Sequence, residues 1–350
     1  MLVSDLNNVR YLSGFTGSNA ALLVFADDRP AVLATDGRYR TQAAGQAPDL
    51  EVVIERACGP HLVSYALAAG ARRVGFEGHA VTVDGFDVLG AATHECPGAE
   101  LVRASGMVEA LREVKDAGEI ALLRLACEAA DAALTALIDG GGLRPGRTEK
   151  QVARELESLM LDHGADAASF ETIVAAGANS AIPHHRPTTA VLARGDFVKI
   201  DFGALVGGYH SDMTRTFVLG SAADWQREIY DLVAAAARAG RRALAAGVAL
   251  CDVDAAARQI IADAGYGEMF THGVGHGVGL AIHEAPGINA TATGKMLAGS
   301  AVTVEPGVYL PDRGGVRIED TLIVDGDNRN GKTSPELLTR FPRELQILAD

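Results

Sequence analysis

Four acidic residues in the second half of the chain stand where carboxylates are costly. Asp201 closes the apolar run FVKID ahead of a glycine-rich turn, and Asp212 follows 11 residues later on the returning segment. Glu305 sits in AVTVEPG and Glu319 in GGVRIEDTLIV, 14 residues apart and again on two arms of a hairpin. Carboxylates in core strands must be neutralised. A pair of divalent cations cancels four formal negative charges, whereas one cation would leave a surplus. Any one of these acids alone reads as well as a solvated strand end or half of an ordinary ion pair. The set of four reads as a cation site.

The histidines point the same way. Thr271–Glu284 (THGVGHGVGLAIHE) carries His272, His276 and His283 on a glycine-rich backbone, which argues for an extended, tightly packed chain rather than a helix. The loop NSAIPHH, with Pro183 fixing a turn, adds His184 and His185. One imidazole with four carboxylates is a hard donor set, suited to Mn(II), Fe(II), Co(II) or Zn(II) rather than copper or an iron–sulfur cluster. His210 shares a strand face with Asp212. His61, His79, His94 and His163 lack such a context and read as surface or packing residues.

These residues need elements to hold them. In the first hundred residues, Ala20–Phe25, Ala31–Ala34, Val52–Ile54 and Val74–Phe76 read as strands, with helices over His61–Ala69 and Val83–Thr93. The segment MLVSDLNNVRYLSGF reads as an opening strand. From Met107 to Ile138 the apolar residues recur at helical spacing, Asp116 and Glu119 suit a helix N-terminus, and GGGLRPG ends the helix. A domain boundary is therefore expected near residue 107, giving domains 1–107 and 108–350. Beyond it come a Thr-capped helix at Thr148–His163, a strand near Glu171–Ala175, and a hairpin of Asp196–Phe202 with Tyr209–Leu219. Helices at Ala223–Ala246 and Cys251–Ala264 follow, then a second hairpin, Ala301–Leu310 with Gly315–Val324. The two hairpins echo one another, as two similar half-domains facing across a site would.

Composition excludes several classes. The chain has 350 residues, 48% hydrophobic and 22% charged, which is ordinary for folded domains. Its net charge of −14 repels polyphosphate backbones, so no nucleic-acid partner is expected. No segment reaches the roughly 18 apolar residues of a membrane span, and no membrane association is expected. Cys58, Cys96, Cys127 and Cys251 form no CxxC pair and read as reduced thiols. Met1–Arg10 lacks a basic region followed by an apolar run, so cytoplasmic residence is the default.

The runs DFG…YHSDMTRTF, HGVGHGVGLAIHE, VTVEPGVYL and GVRIED resemble the pita-bread metallopeptidases, which include Xaa-Pro aminopeptidases, Xaa-Pro dipeptidases (prolidases) and methionine aminopeptidases. The resemblance implies an α+β fold, with a C-terminal pita-bread (creatinase/aminopeptidase) domain behind a smaller N-terminal α/β domain. YLSGFTGSNAALLV and TDGRY resemble the accessory domain of the prolidase branch, in which a further helix usually precedes the opening strand. That first helix is expected to be missing here.

By the same resemblance, Asp201 chelates one metal, His276 and Glu305 hold the other, and Asp212 and Glu319 bridge them. His184, His272 and His283 surround the substrate. Two divalent ions are implied, with Mn(II) expected and Co(II), Zn(II) or Fe(II) as alternatives, in a homodimer. Arg317 and the N-terminal domain favour the proline-directed branch. Arg317 shares a strand face with Glu319 and is expected to orient it or the substrate.

The expected reaction is metal-assisted hydrolysis of Xaa-Pro bonds, with Glu305 taking up the proton of the attacking water. His283 is expected to stabilise the charge developing on the scissile carbonyl. An Xaa-Pro aminopeptidase, acting on peptides with proline after the N-terminal residue, is the leading reading. A dipeptidase comes second, and a catalytically silent binding module on the same fold third.

Overall fold

The computed structural model of the chain describes residues 1–94, 96–325 and 334–349. The chain divides into two compact units, Met1–Arg112 and Glu113–Asp350.

The first unit is a six-stranded mixed sheet in the order Glu51–Ile54, Val32–Thr35, Ala20–Leu23, Leu2–Val3, Arg73–Phe76, Glu100–Arg103. Its apolar residues pack against the helix Cys58–Ala68. The opening segment is mostly not strand. Only Leu2–Val3 pairs, because the Asp5 side chain accepts hydrogen bonds from the Asn7 and Asn8 N–H groups and starts a helix at Leu6–Ser13. The buried Glu77 carboxylate fixes that turn, accepting from Ser4 N (2.6 Å), Asp5 N (2.7 Å) and Asn8 Nδ2 (2.6 Å).

The helical stretch expected over Met107–Ile138 is two helices, Met107–Arg112 and Ala117–Asp139, the second starting at the Asp116–Glu119 N-terminus. There Asp116 forms a capping box with Glu119. The short helix stays with the first unit: Asn8 donates to Glu109 (2.6 Å), and Arg112 donates to Asn8 Oδ1 (2.8 Å). The units therefore part between Arg112 and Glu113, not at residue 107.

The second unit repeats one layout twice. In one half, helices Ala117–Asp139 and Glu149–Asp162 pack on the strands Phe197–Phe202 and Met213–Leu219. In the other, helices Asp224–Ala243 and Leu250–Asp263 share a core with Ala301–Val304 and Asp320–Ile323. The first sheet runs Ile347–Leu348, Met213–Leu219, Phe197–Phe202, Ile173–Ala176. The second runs Glu284–Ile288, Gly275–Gly277, Ala301–Val304, Asp320–Ile323, Glu336–Leu337.

The hairpins are interrupted where the acids stand. The first returns as Tyr209–His210 and then Met213–Leu219, with Asp212 in the gap. The second splits into two pairings. Ala301–Val304 pairs with Asp320–Ile323, Gly307–Leu310 pairs with Gly314–Arg317, and Glu305 and Glu319 lie between them. Only Asp201 sits inside a strand. No helix of the described residues is long and apolar enough to cross a membrane, and all four cysteines are free.

Candidate metal centre

The two halves meet at the acids. Asp201 lies opposite Thr214 in register, and the Glu319 N–H donates to the Thr214 carbonyl (3.1 Å). Thr321 Oγ1 donates to the Asp212 carbonyl (2.8 Å). The Glu305 N–H donates to Val274 O (2.7 Å), which brings in the histidine segment. Glycine lets that segment approach. A Cβ on Gly275 would stand 2.0 Å from Thr303 O, and one on Gly277 2.0 Å from Ala285 O. Any side chain there would push His276 away from the acids.

Donor atoms of Asp212, His276 and Glu319 lie within 4.8 Å of one another. His276 Nε2 is 3.6 Å from Asp212 Oδ2 and 3.4 Å from Glu305 Oε1. The other ring nitrogen, Nδ1, lies 3.0 Å from the Gly277 carbonyl and so carries the proton, which turns the Nε2 lone pair towards the acids. Burial lowers the His276 pKa to about 4, so the ring is neutral at pH 7, as a ligand must be.

The carboxylates cannot all ionise unaided. Burial raises the pKa of Asp212 well above the usual range, and the charges of Glu319, Asp201 and Glu305 add to the effect. Glu319 is raised by burial, then by Glu305 and Asp201. Burial lifts Glu305 to about 7. Asp201 Oδ1 is buried and has no hydrogen-bond partner. Like charges crowded in a dry site, with an orphaned acceptor among them, fit the hard divalent cations that this donor set would take.

Behind the acids is a layer of polar groups of which the sequence singled out only Arg317. Arg317 is 2% exposed. Its Nη2 donates to Asp201 Oδ2, Nη1 to the Tyr309 hydroxyl (2.7 Å) and to Pro183 O (3.3 Å), and Nε to Thr214 Oγ1 (3.1 Å). Thr214 in turn donates to Glu319 Oε2 (2.6 Å). Arg317 thus clamps Asp201 directly and reaches Glu319 only through Thr214, and it does not line the cavity. Thr214→Val removes this link at nearly constant volume. Loss of such an outer contact is expected to weaken metal binding by about tenfold or more, read by titration of the metal-stripped protein.

Arg215 uses all its nitrogens: on Asp320 Oδ1 (2.7 Å), on the carbonyls of Thr214 (2.9 Å) and Glu319 (2.5 Å), and on Phe341 (2.8 Å) and Pro342 (3.0 Å). Lys199, fully buried on the Asp201 strand, donates to the carbonyls of Ile182 (2.7 Å) and Pro183 (3.2 Å) and so holds the loop ahead of His184. A lysine two residues before Asp201 in an apolar strand carried this signal. Tyr309 carried none.

The cavity in front measures about 250 Å³. Asp201, Asp212, His276, Glu305 and Glu319 line it, together with His184, His185, His283, Phe170, Ile173, Ile282, Glu171 and Arg186. His185 is turned to Glu149 (2.9 Å), a buried carboxylate that also accepts from Ala176, Asn179 and Thr188. His272 lies outside the lining. Its Nε2 meets the Tyr309 hydroxyl (2.8 Å), its Nδ1 the Gly273 carbonyl (2.8 Å), and burial with the nearby Arg317 charge drives its pKa down to about 3. Of the three histidines expected around a substrate, His184 and His283 face the cavity and His272 backs it.

Residues 121–326 match Metallopeptidase family M24, and residues 1–114 match the Creatinase/Prolidase N-terminal domain. The chain belongs to metallopeptidase family M24. It is therefore a metal-dependent peptidase on the α+β pita-bread fold, preceded by the creatinase-type domain. An Xaa-Pro dipeptidase of Pyrococcus furiosus is 42% identical over 241 residues, 68% of this chain and 69% of that protein. The solved Xaa-Pro dipeptidase of Bacillus anthracis superposes with a TM-score of 0.91 at 39% identity, covering 99% of this chain and 94% of that one. The X-Pro aminopeptidase of Thermotoga maritima gives 0.87 at 32% identity, over 99% and 96%.

Proposed function

We propose that this M24 peptidase is an Xaa-Pro dipeptidase, hydrolysing the bond between an N-terminal residue and a C-terminal proline. The carrying observation is the convergence of five donors (Asp201, Asp212, His276, Glu305, Glu319) on a small cavity faced by His184 and His283. The dipeptidase reading replaces the aminopeptidase expected from sequence, because it is supported by relatives named Xaa-Pro dipeptidase at 42% and 39% identity, against 32% for the named aminopeptidase. The binding-module reading loses ground to the intact donor set.

Two divalent ions, Mn(II) foremost, are part of the proposal, as is the homodimer. Asp201 would hold one ion, His276 and Glu305 the other, with Asp212 and Glu319 shared. When bound, such a pair supplies Lewis acidity and lowers the pKa of water towards neutrality. Glu305 takes the proton of the attacking water and passes it to the proline nitrogen as the C–N bond breaks. That nitrogen belongs to a tertiary amide and cannot leave as an anion, so the proton must arrive with bond cleavage. His283 steadies the charge growing on the carbonyl oxygen, and His184 positions the substrate. Arg317, Thr214 and Lys199 act on the geometry of the ligands and the loop, not on the reacting atoms.

The test is hydrolysis of Ala-Pro and Ala-Pro-Ala by protein stripped with a chelator and reloaded with Mn(II). Turnover of the dipeptide alone, lost on stripping and regained on reloading, is the expected result. Comparable turnover of the tripeptide restores the aminopeptidase reading. Absence of both turnover and bound metal promotes the binding module.

A further inference from the structure

A dipeptidase must register a carboxylate directly after proline, and the cavity contains a group placed to do so. The Lys and Arg side chains around the site differ sharply in what they have left to offer, Arg215 being spent on Asp320 and four carbonyls. Arg317 is buried and committed to Asp201, Tyr309, Thr214 and Pro183. Lys199 is buried and committed to the carbonyls of Ile182 and Pro183. Arg186 is the one that lines the cavity, two residues past His184.

Its partner is Glu171, which also lines the cavity, with Arg186 Nε 3.2 Å from Glu171 Oε2. The two side chains are 83% and 60% exposed. An exposed pair of this kind is worth little and exchanges readily. A guanidinium can present two parallel N–H groups to a carboxylate, so an incoming free acid competes well for it. An amide or a further peptide bond at that position has no charge with which to displace Glu171.

We propose that Arg186 is the specificity residue that binds the free carboxylate of the C-terminal proline, with Glu171 as its resting partner when no substrate is bound. The inference rests on the dipeptidase reading. It assigns the preference for free acids to a replaceable ion pair at the cavity, not to the metal ligands. Glu171 then acts as an internal competitor that longer peptides fail to displace.

The experiment compares Ala-Pro with its C-terminal amide, Ala-Pro-NH2, on the Mn(II)-loaded enzyme, in wild type, Arg186→Met and Glu171→Gln. Wild type is expected to favour the acid by about tenfold or more in kcat/KM. Arg186→Met is expected to lower that acid-to-amide ratio by about 10- to 100-fold, chiefly through KM for the acid. Glu171→Gln is expected to lower KM for the acid several-fold. Circular dichroism and metal content check that each variant is folded and loaded. An acid preference that survives Arg186→Met overturns the inference and leaves the dipeptidase reading standing. A wild type without acid preference, or without turnover of the acid, overturns both.

Discussion

Glu305→Gln is expected to lower kcat by about 10²–10⁴-fold while leaving the fold intact, because a positioned general base contributes on that scale. The substitution keeps an oxygen donor in place, so the variant still takes up metal, and stopped-flow or steady-state assays separate lost chemistry from lost loading. A second readout has the opposite sign. Without metal, burial holds the Glu305 pKa at about 7 against an ordinary 4.5. A group whose folded pKa is raised stabilises the fold fully below its unfolded pKa and loses that contribution as pH rises through the folded value. The metal-free protein should therefore lose stability between about pH 4.5 and 7, by about 3 kcal/mol at most from this group. Gln carries no such penalty. At pH 8, metal-free Glu305→Gln is expected to melt higher than metal-free wild type, by scanning calorimetry. An inactive variant that melted lower at every pH would argue that Glu305 is structural.

Arg317→Met should act through the ligands rather than on the chemistry. The side chain is close to the volume of an arginine stem but leaves Asp201 Oδ2 and the Tyr309 hydroxyl without their donor. Breaking a buried ion pair costs about 3–5 kcal/mol, which for a unit of this size corresponds to roughly 6–20 °C in melting temperature. Metal affinity should fall by about 10- to 100-fold, since the support of a ligand has gone. Raising Mn(II) should then recover much of the activity, a rescue that Glu305→Gln cannot show. Unchanged metal affinity in a folded Arg317→Met would count against the clamp.

Much of the site could be read in the sequence because burial makes charge conspicuous. Asp201 stands out at the end of FVKID, and the glycines around His276 announce a chain that must come close to its neighbours. The strand interruptions could not be read. AVTVEPGVYL has the apolar content of one continuous strand, and nothing local says that its pairing changes partner at Glu305–Pro306. That change redirects Arg317. Alternation holds only while a strand continues, and here the strand ends at Arg317 itself, so the guanidinium meets Asp201 across the half-domain junction instead of Glu319 beside it. The orientation of His272 could not be read either: its ring is turned by Tyr309, 37 residues away, a contact no spacing rule contains, and its Nδ1 stands 3.9 Å from Glu305 Oε2. In the first unit, Glu100–Arg103 was missed because four residues with charged ends are too few to show a period.

Arg215 ties the carbonyls of Phe341 and Pro342 to that of Glu319. Residues far beyond the last candidate ligand are thereby part of the wall behind it. In a single-molecule pulling experiment, a load applied at the C-terminus would first meet the pairing of Ile347–Leu348 with Met213–Leu219, and behind it the Arg215 guanidinium that backs Glu319.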